Sequence, residues 1–266
     1  MNDPHVEWLR YRLNVKSNYV LFESPSPLIQ EYDVYRISLD DGLLTVGMKE
    51  HYASIKEARE KVEGFLRDWQ AYAALDVDRD FMEFEYEDAH VIDRNPQPEI
   101  PENITMQLNY VLSGFRCEGS VAGSPLELQE YPAPPTRFRA SPEAEIMWHR
   151  YQMHIEGREP LQSMGYFCLS LVQWSAVTGK SAREAAANMY KIDKDVLDTL
   201  GTLTAEKGSP LEARKLDSGS TLIPLTDAEQ NWIRAAVKML IRRKGEYDYD
   251  PASASSLKQL TMADLP

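Results

Sequence analysis

One stretch of the sequence defines a helix with both of its ends: Leu225–Pro251, LTDAEQNWIRAAVKMLIRRKGEYDYDP. Thr226 is a favourable N-cap, and Glu229 stands three residues later, where its side chain can reach the Thr226 amide, so TDAE predicts a capping box. Gly245 predicts the helix end, because glycine readily adopts the left-handed conformation that terminates helices. Three cations that suit a helix C-terminus precede this glycine: Arg242, Arg243 and Lys244.

The same stretch shows helical periodicity. Apolar side chains recur along one stripe: Trp232, Ile233, Ala236, Val237, Leu240 and Ile241. Polar side chains fall on the opposite stripe: Gln230, Arg234, Lys238 and Arg242. This pattern predicts an amphipathic helix that buries its apolar face.

The first half of the chain mixes strand and helix patterns. Short apolar runs separated by the turn signals SPSP and DDG predict strands between Tyr19 and Met48. The period changes over Ser54–Leu75, which predicts a long amphipathic helix packed on that sheet. Residues 81–92 and 104–115 return to strand composition. We therefore expect a first domain, residues 1–140, with a small, mostly antiparallel sheet and one long helix in an α+β fold.

The second half is predominantly helical in pattern. Prolines in YPAPPTRFR, within Leu126–Arg139, disfavour helix and central strand and predict an interdomain linker. Beyond it, helices are predicted over residues 143–156, 160–178, 181–191 and 193–205, followed by the helix described above. We therefore expect an all-α helical bundle domain over residues 141–266.

Composition limits the function classes. The formal net charge of the 266-residue chain is −13, and most of the acidic excess lies in its first half, which opposes general attraction to nucleic acid phosphates. The N-terminus lacks signal-peptide regions, and no apolar run is long enough to span a membrane. Cys117 and Cys168 form no CxxC pair. These features predict a cytoplasmic protein without a structural disulfide.

Motif searches identify no complete catalytic or cofactor site, so no cofactor is predicted. A partial calcium-loop pattern places Asp76, Asp78 and Asp80 before Glu87, whereas Phe81 replaces the glycine of the sharp turn. The four carboxylates are weak metal candidates, and a solvated acidic face is the alternative interpretation.

Residues 181–203 have helix-turn-helix spacing, with predicted packing positions at Ala186, Ile192, Val196 and Leu200. Aspartates crowd the second helix and would repel DNA phosphates, so packing without DNA binding is favoured.

Several segments are similar to an uncharacterised bacterial family known as methylamine utilisation protein J: EAREKVEGFLRDWQAYAAL, FMEFEYEDAHVIDR, PLQSMGYFCLSLV, LEARK, LTDAEQNWIRAAVKMLIRRKGE and LTMADLP. The resemblance touches both halves of the chain. It implies one family along the whole length and a helical C-terminal half.

The helical half more weakly resembles the HEPN domains, helical bundles that are often dimeric and include ribonucleases of defence and toxin systems. Catalytic members carry an arginine followed a few residues later by a histidine. In this sequence Asp248 occupies that position after Arg242 and Arg243. The resemblance implies Arg150, His154, Arg242 and Arg243 as candidate catalytic residues.

Two functions are therefore expected. The first is a non-enzymatic interaction or sensing protein that contacts a protein partner, or a second copy of itself, through the helical half. The alternative is a divergent HEPN-type ribonuclease, for which RNA would be the substrate.

Overall fold

A computed structural model describes residues 3–16, 18–95, 125–176, 182–205, 207 and 223–266. It contains an α+β mixture with a mostly antiparallel five-stranded sheet. The strands are β1 Pro4–Val15, β2 Val20–Ser26, β3 Leu28–Glu31, β4 Tyr35–Asp40, β5 Leu43–Met48, β6 Met82–Asp93 and β7 Leu126–Glu130. The helices are α1 Ile55–Val77, α2 Pro142–Ile155, α3 Leu161–Ala176, α4 Ala182–Tyr190, α5 Lys194–Ala205 and α6 Asp227–Tyr249. The predicted strand over 104–115 lies outside the described residues, as does Cys117.

Contacts divide the chain into two compact units. The sheet unit comprises Met1–Leu66 and Asp80–Ala133, and the helical unit comprises Arg67–Arg79 and Pro134–Pro266. The chain thus leaves the sheet unit within α1 and returns to it before β6. The division into domains at residues 140 and 141 stays a prediction.

The sheet has the strand order β3-β4-β5-β1-β6, and every neighbouring pair is antiparallel. Strand β5 alternates buried and half-buried residues, as expected for a strand with one face on a core. Asp41 and Gly42 both have positive φ values, 47° and 68°, in the tight turn between β4 and β5. The DDG turn signal is confirmed, because such a hairpin turn needs positive φ at both central residues.

Strand β1 lies in the interior of the sheet and was not predicted. Its apolar positions are separated by charged residues, and its pairing with β6 shifts register near Val6 and again near Arg10. The first shift interrupts the alternation, because Val6 and Leu9 are both buried although they are three residues apart. Leu9, Tyr11 and Leu13, however, alternate with arginines, a strand signal that the sequence analysis missed. The prediction for Leu126–Arg139 was also incomplete, because Leu126–Glu130 forms β7 and pairs with β2 in parallel.

Helix α1 differs from the prediction that it packs on the sheet along its length. In the sheet unit, the Phe65 ring packs at 5.2 Å from Tyr32 and 5.5 Å from Tyr35. Ala74 and Leu75, near the other end of α1, are buried in the core of the helical unit. Helix α1 therefore supplies apolar residues to two different cores.

The helical unit buries a continuous apolar core formed by α2–α6 and the last turns of α1. The predicted packing positions of α4 and α5 and their connection are all fully buried: Ala186, Ile192, Val196 and Leu200. Arg183 and Lys194 pair with Asp198. None of the helices in the described part of the chain is long and apolar enough to cross a membrane.

Helix α6 begins as predicted but ends later. The Thr226–Glu229 capping box is present, and the apolar stripe from Trp232 to Ile241 is buried. The predicted end at Gly245 is wrong, because the helix continues to Tyr249 and no cation lies in its last turn. Gly245 instead permits a close backbone approach, since its carbonyl accepts a 3.0 Å hydrogen bond from the Arg139 amide.

We expect Gly245→Ala to destabilise the protein. A Cβ at this position would lie 2.3 Å from a Phe138 ring carbon and 2.9 Å from the Arg139 carbonyl oxygen. Overpacking of this kind costs about 1–3 kcal/mol in spite of the better helix propensity of alanine. Gly64→Ala is the matched control, because a Cβ on that α1 residue would meet nothing within 4 Å. Urea unfolding should show a loss for the first variant and a gain of about 0.5–1 kcal/mol for the second; equal effects would contradict this packing.

Candidate functional site

The connection between α2 and α3 forms one wall of the candidate site. Helix α2 closes with the two hydrogen bonds of a Schellman motif, from the Gly157 amide to the His154 carbonyl at 2.9 Å and from the Arg158 amide to the Met153 carbonyl at 2.8 Å. Gly157 has a φ of 72°, which glycine adopts without strain. Pro160 then directly precedes α3, so the segment EGREP makes a short, defined turn.

A cavity of about 600 Å³ lies against this turn and the beginning of α6. Its lining combines aliphatic, amide, imidazole and guanidinium groups from the helical unit: His154, Gly157, Arg158, Glu159, Pro160, Leu161, Gln162, Pro224, Leu225 and Gln230. Half of these lining residues have polar or charged side chains, so the wall is more polar than the mainly apolar wall of a typical small-molecule site. We refer to this cavity as the His154 pocket.

The hydrogen bonds of His154 define its protonation state. Nδ1 lies 3.1 Å from the Glu159 carbonyl oxygen, which can only accept, so Nδ1 must carry the proton. Nε2 lies 3.3 Å from Nε of Arg234, which can only donate, so Nε2 must be unprotonated. Burial lowers the pKa of His154, and the nearby Arg234 charge lowers it further. His154 is therefore a neutral imidazole with its Nε2 lone pair directed at Arg234.

An ion pair between the half-buried Arg150 and the buried Glu159 fixes the turn that holds His154. Arg150 contacts Oε1 of Glu159, a residue that is 7% exposed, and the Arg150 guanidinium also stacks over the Phe167 ring at 4.4 Å. Burial raises the pKa of the Glu159 carboxyl, whereas the Arg150 charge opposes that shift. The pair thus anchors the residue whose backbone carbonyl orients the His154 ring.

The cations of α6 have distinct partners within the helical unit. Lys238 lies 2.8 Å from Asp78, which also accepts a 2.8 Å hydrogen bond from the Tyr151 hydroxyl. Arg242 lies 2.8 Å from Asp76. The face of α6 opposite its apolar stripe was predicted only to be polar. In the structure, Lys238 and Arg242 on this face bind the end of α1.

The four candidate catalytic residues are placed in different surroundings. Arg150 and His154 share the α2–α3 turn through Glu159. Arg242 lies two helical turns beyond Arg234, about 12 Å along α6 at 1.5 Å per residue. Arg243 contacts Glu246 and donates to the Lys258 carbonyl at 2.6 Å, so it binds the C-terminal segment to α6. No contact joins Arg242 or Arg243 to His154 in the part of the chain that the structure describes.

Three of the four weak metal candidates are likewise engaged by cations. Arg242 pairs with Asp76, Lys238 pairs with Asp78, and Arg12 lies 2.7 Å from Glu87 in the sheet unit. Within the described ranges, no group of three or more His, Cys, Asp and Glu side chains could hold a metal ion. The structure therefore gives no support to a calcium site over residues 76–87.

Sequence analysis did not identify Arg234, Glu159 and Gln162 as site residues. Gln162 is 1% exposed and donates to the Lys207 carbonyl, and such burial of an amide is not visible in a sequence pattern. The turn signal of EGREP could have drawn attention to the neighbourhood of Glu159. Nothing in the sequence pairs Arg234 with a histidine 80 residues away.

Comparisons of the chain with models of known protein families, with curated proteins and with solved structures found no match in any of the three.

We expect His154 to titrate below the usual histidine value of 6.5. Because the folded pKa is the lower one, the unfolded chain takes up the proton first as pH falls below 6.5. The contribution of neutral His154 to stability is therefore complete above 6.5 and is lost as pH falls towards the folded pKa. Nitrogen NMR should show protonated Nδ1 and unprotonated Nε2 at neutral pH. The free energy of unfolding, measured from about pH 7.5 to about pH 5, should depend less on pH in His154→Asn than in the wild type. The exposed control variant His149→Asn should show the same pH dependence as the wild type. A His154 pKa above 6.5, or protonated Nε2, would contradict this geometry.

Proposed function

We propose that this chain is a non-enzymatic sensing protein that binds a small polar ligand in the His154 pocket. The proposal rests above all on one observation, a cavity of about 600 Å³ with a histidine held in a single neutral form at its wall. That volume is within the usual range of ligand sites, about 300–1,000 Å³. A preorganised wall favours binding because little side-chain freedom is lost when the ligand enters.

The candidate catalytic groups are already hydrogen-bonded or ion-paired, which favours ligand binding over catalysis. The Nε2 atom of His154 already accepts from Arg234, and Arg150 is already paired with Glu159. Catalysis by proton transfer needs a basic atom within reach of the reacting proton. A ligand that only binds needs no such group, so these contacts support a sensing role.

The proposal includes the organisation expected from the sequence. An α+β domain over residues 1–140 would accompany a helical bundle domain over residues 141–266 that holds the pocket. The protein would act in the cytosol and pass the ligand signal to a protein partner, or to a second copy, through its helical half. The resemblance to methylamine utilisation protein J is compatible with this proposal, because it implies no demonstrated chemistry.

Filling the pocket should abolish ligand retention. Gln230 lines the pocket, so Gln230→Trp would occupy its volume, whereas the exposed Ala228 on the same helix does not line it. After incubation with a small-molecule extract of cells, mass spectrometry should detect a compound retained by the wild type and by Ala228→Trp. The same compound should be lost from Gln230→Trp at an unchanged melting temperature. Absence of any retained compound, or equal retention by both variants, would refute the proposal.

A divergent HEPN-type ribonuclease is the second candidate function. It is favoured by the 3.3 Å contact between His154 and Arg234, which places an unprotonated imidazole beside a guanidinium. Such a pair can supply a general base and stabilise charge on a phosphate. In such a nuclease, Arg234 would take the catalytic role that the HEPN resemblance implies for Arg242 and Arg243.

RNA cleavage assays separate the two functions. We expect the purified wild-type protein to show no cleavage that depends on this pair. Should cleavage occur, His154→Ala and Arg234→Gln would each reduce its rate by about a hundredfold, the usual effect of losing a positioned catalytic group. The double variant Arg242→Gln, Arg243→Gln is the control, because those arginines bind Asp76 and Glu246. Cleavage lost in both single variants but kept in the control would favour the nuclease over the sensing protein.

A further inference from the structure

One cation of α6, Arg234, has a different kind of partner from the others. Four of its cations meet a carboxylate: Lys238 meets Asp78, Arg242 meets Asp76, Arg243 meets Glu246 and Lys244 meets Asp248. Arg234, in contrast, contacts only neutral groups in the described part of the chain, the His154 imidazole and the Asn231 side-chain oxygen at 3.1 Å. Its charge is therefore not neutralised by the protein groups that it touches.

Arg234 is located next to the His154 pocket. It contacts His154, which lines the pocket, and Gln230, one turn earlier on α6, lines the pocket as well. Residues four apart lie on the same face of a helix. An anion in the pocket could thus reach the guanidinium from the side of His154.

The two charged residues of the pocket lining, Arg158 and Glu159, are each paired in the structure. Arg158 pairs with Glu156, Glu159 pairs with Arg150, and a third pair joins Lys207 to Glu229. Both charged residues of the pocket lining, Arg158 and Glu159, are thus paired, whereas the neighbouring Arg234 meets no carboxylate among the described residues. Arg234 is not itself in the pocket lining, but it contacts His154, which is, so its positive charge acts on that side of the pocket.

The beginning of α3 adds to this potential. Ser141 caps α2 and Thr226 caps α6, but no side-chain cap is seen at α3 among the described residues, and its first turn contains no acidic residue. Leu161 and Gln162, the first two residues of α3, both line the pocket. Free amides at a helix N-terminus favour a negative charge nearby.

We propose that the ligand of the His154 pocket is an organic carboxylate. Its negative group would meet Arg234 and the first amides of α3, while its apolar portion would lie against Leu161 and Leu225. This inference rests on the proposed ligand-binding function and adds the chemical class of the ligand. A carboxylate fits better than an amine, because Glu159, the carboxylate among the described lining residues, is already paired with Arg150.

Matched compounds test the charge requirement. Linear carboxylates of two to eight carbons would be compared with their primary amides and with the corresponding amines by titration calorimetry and saturation-transfer NMR. We expect the best carboxylate to bind about tenfold or more tightly than its amide, because hydrogen bonds to charged groups are stronger than those between neutral groups. Its affinity should also fall as salt is raised.

Variants at two positions of the same helix locate the charge. Arg234→Gln should weaken carboxylate binding by about tenfold while leaving any amide binding within about twofold, and Arg234→Lys should restore part of the loss. Arg242→Gln removes a cation that Asp76 already neutralises, so it should bind the carboxylate as the wild type does. If Arg234→Gln does not fold, the salt dependence and the carboxylate-to-amide ratio of the wild type still decide the question.

The possible failures are distinguishable. Amides or amines that bind as tightly as carboxylates, or carboxylate binding unaffected in Arg234→Gln, would overturn the anion inference and leave the ligand-binding function in place. No binding by any compound, together with no compound retained from the cell extract, would overturn both.

Discussion

The burial of α6 is the constraint on which the helical unit depends. From Trp232 to Asp248 no residue of this helix is fully exposed, although the segment contains five cations. Withdrawing a charged side chain from water is costly unless it is paired, so the neighbouring segments must supply carboxylates. Asp76 and Asp78, at the end of α1, supply two of them, and Glu246 and Asp248 supply two more from α6 itself.

The same constraint accounts for the candidate site. Arg234 meets a histidine instead of a carboxylate, and a guanidinium can approach an imidazole this closely only if the imidazole is neutral. The Glu159 carbonyl then determines which nitrogen carries the proton. The Arg150–Glu159 ion pair holds that carbonyl in place, so the site depends on one ion pair and on the contact between Arg234 and the neutral His154.

Sensing and cleavage make different demands on this arrangement. A binding site needs complementary groups and available volume, both of which the His154 pocket has. A ribonuclease would need Arg234 to leave Nε2 of His154 when RNA arrives, so that the base becomes available and the guanidinium can meet the phosphate. A carboxylate ligand would use the same guanidinium without requiring any proton transfer, which is the simpler use of the observed contacts.

Local rules in the sequence predicted the capping box of α6, its buried stripe, the DDG hairpin and the helices around the EGREP turn, because each depends on residues within a few positions. They did not predict β1 as an interior strand, the shared packing of α1 or the close approach at Gly245. They also did not predict which charged groups would meet, since His154 and Arg234 are 80 residues apart, and Arg242 and Asp76 are 166 apart. Spacing along the chain determines which side chains share a face, whereas only packing determines which charge each of those side chains meets.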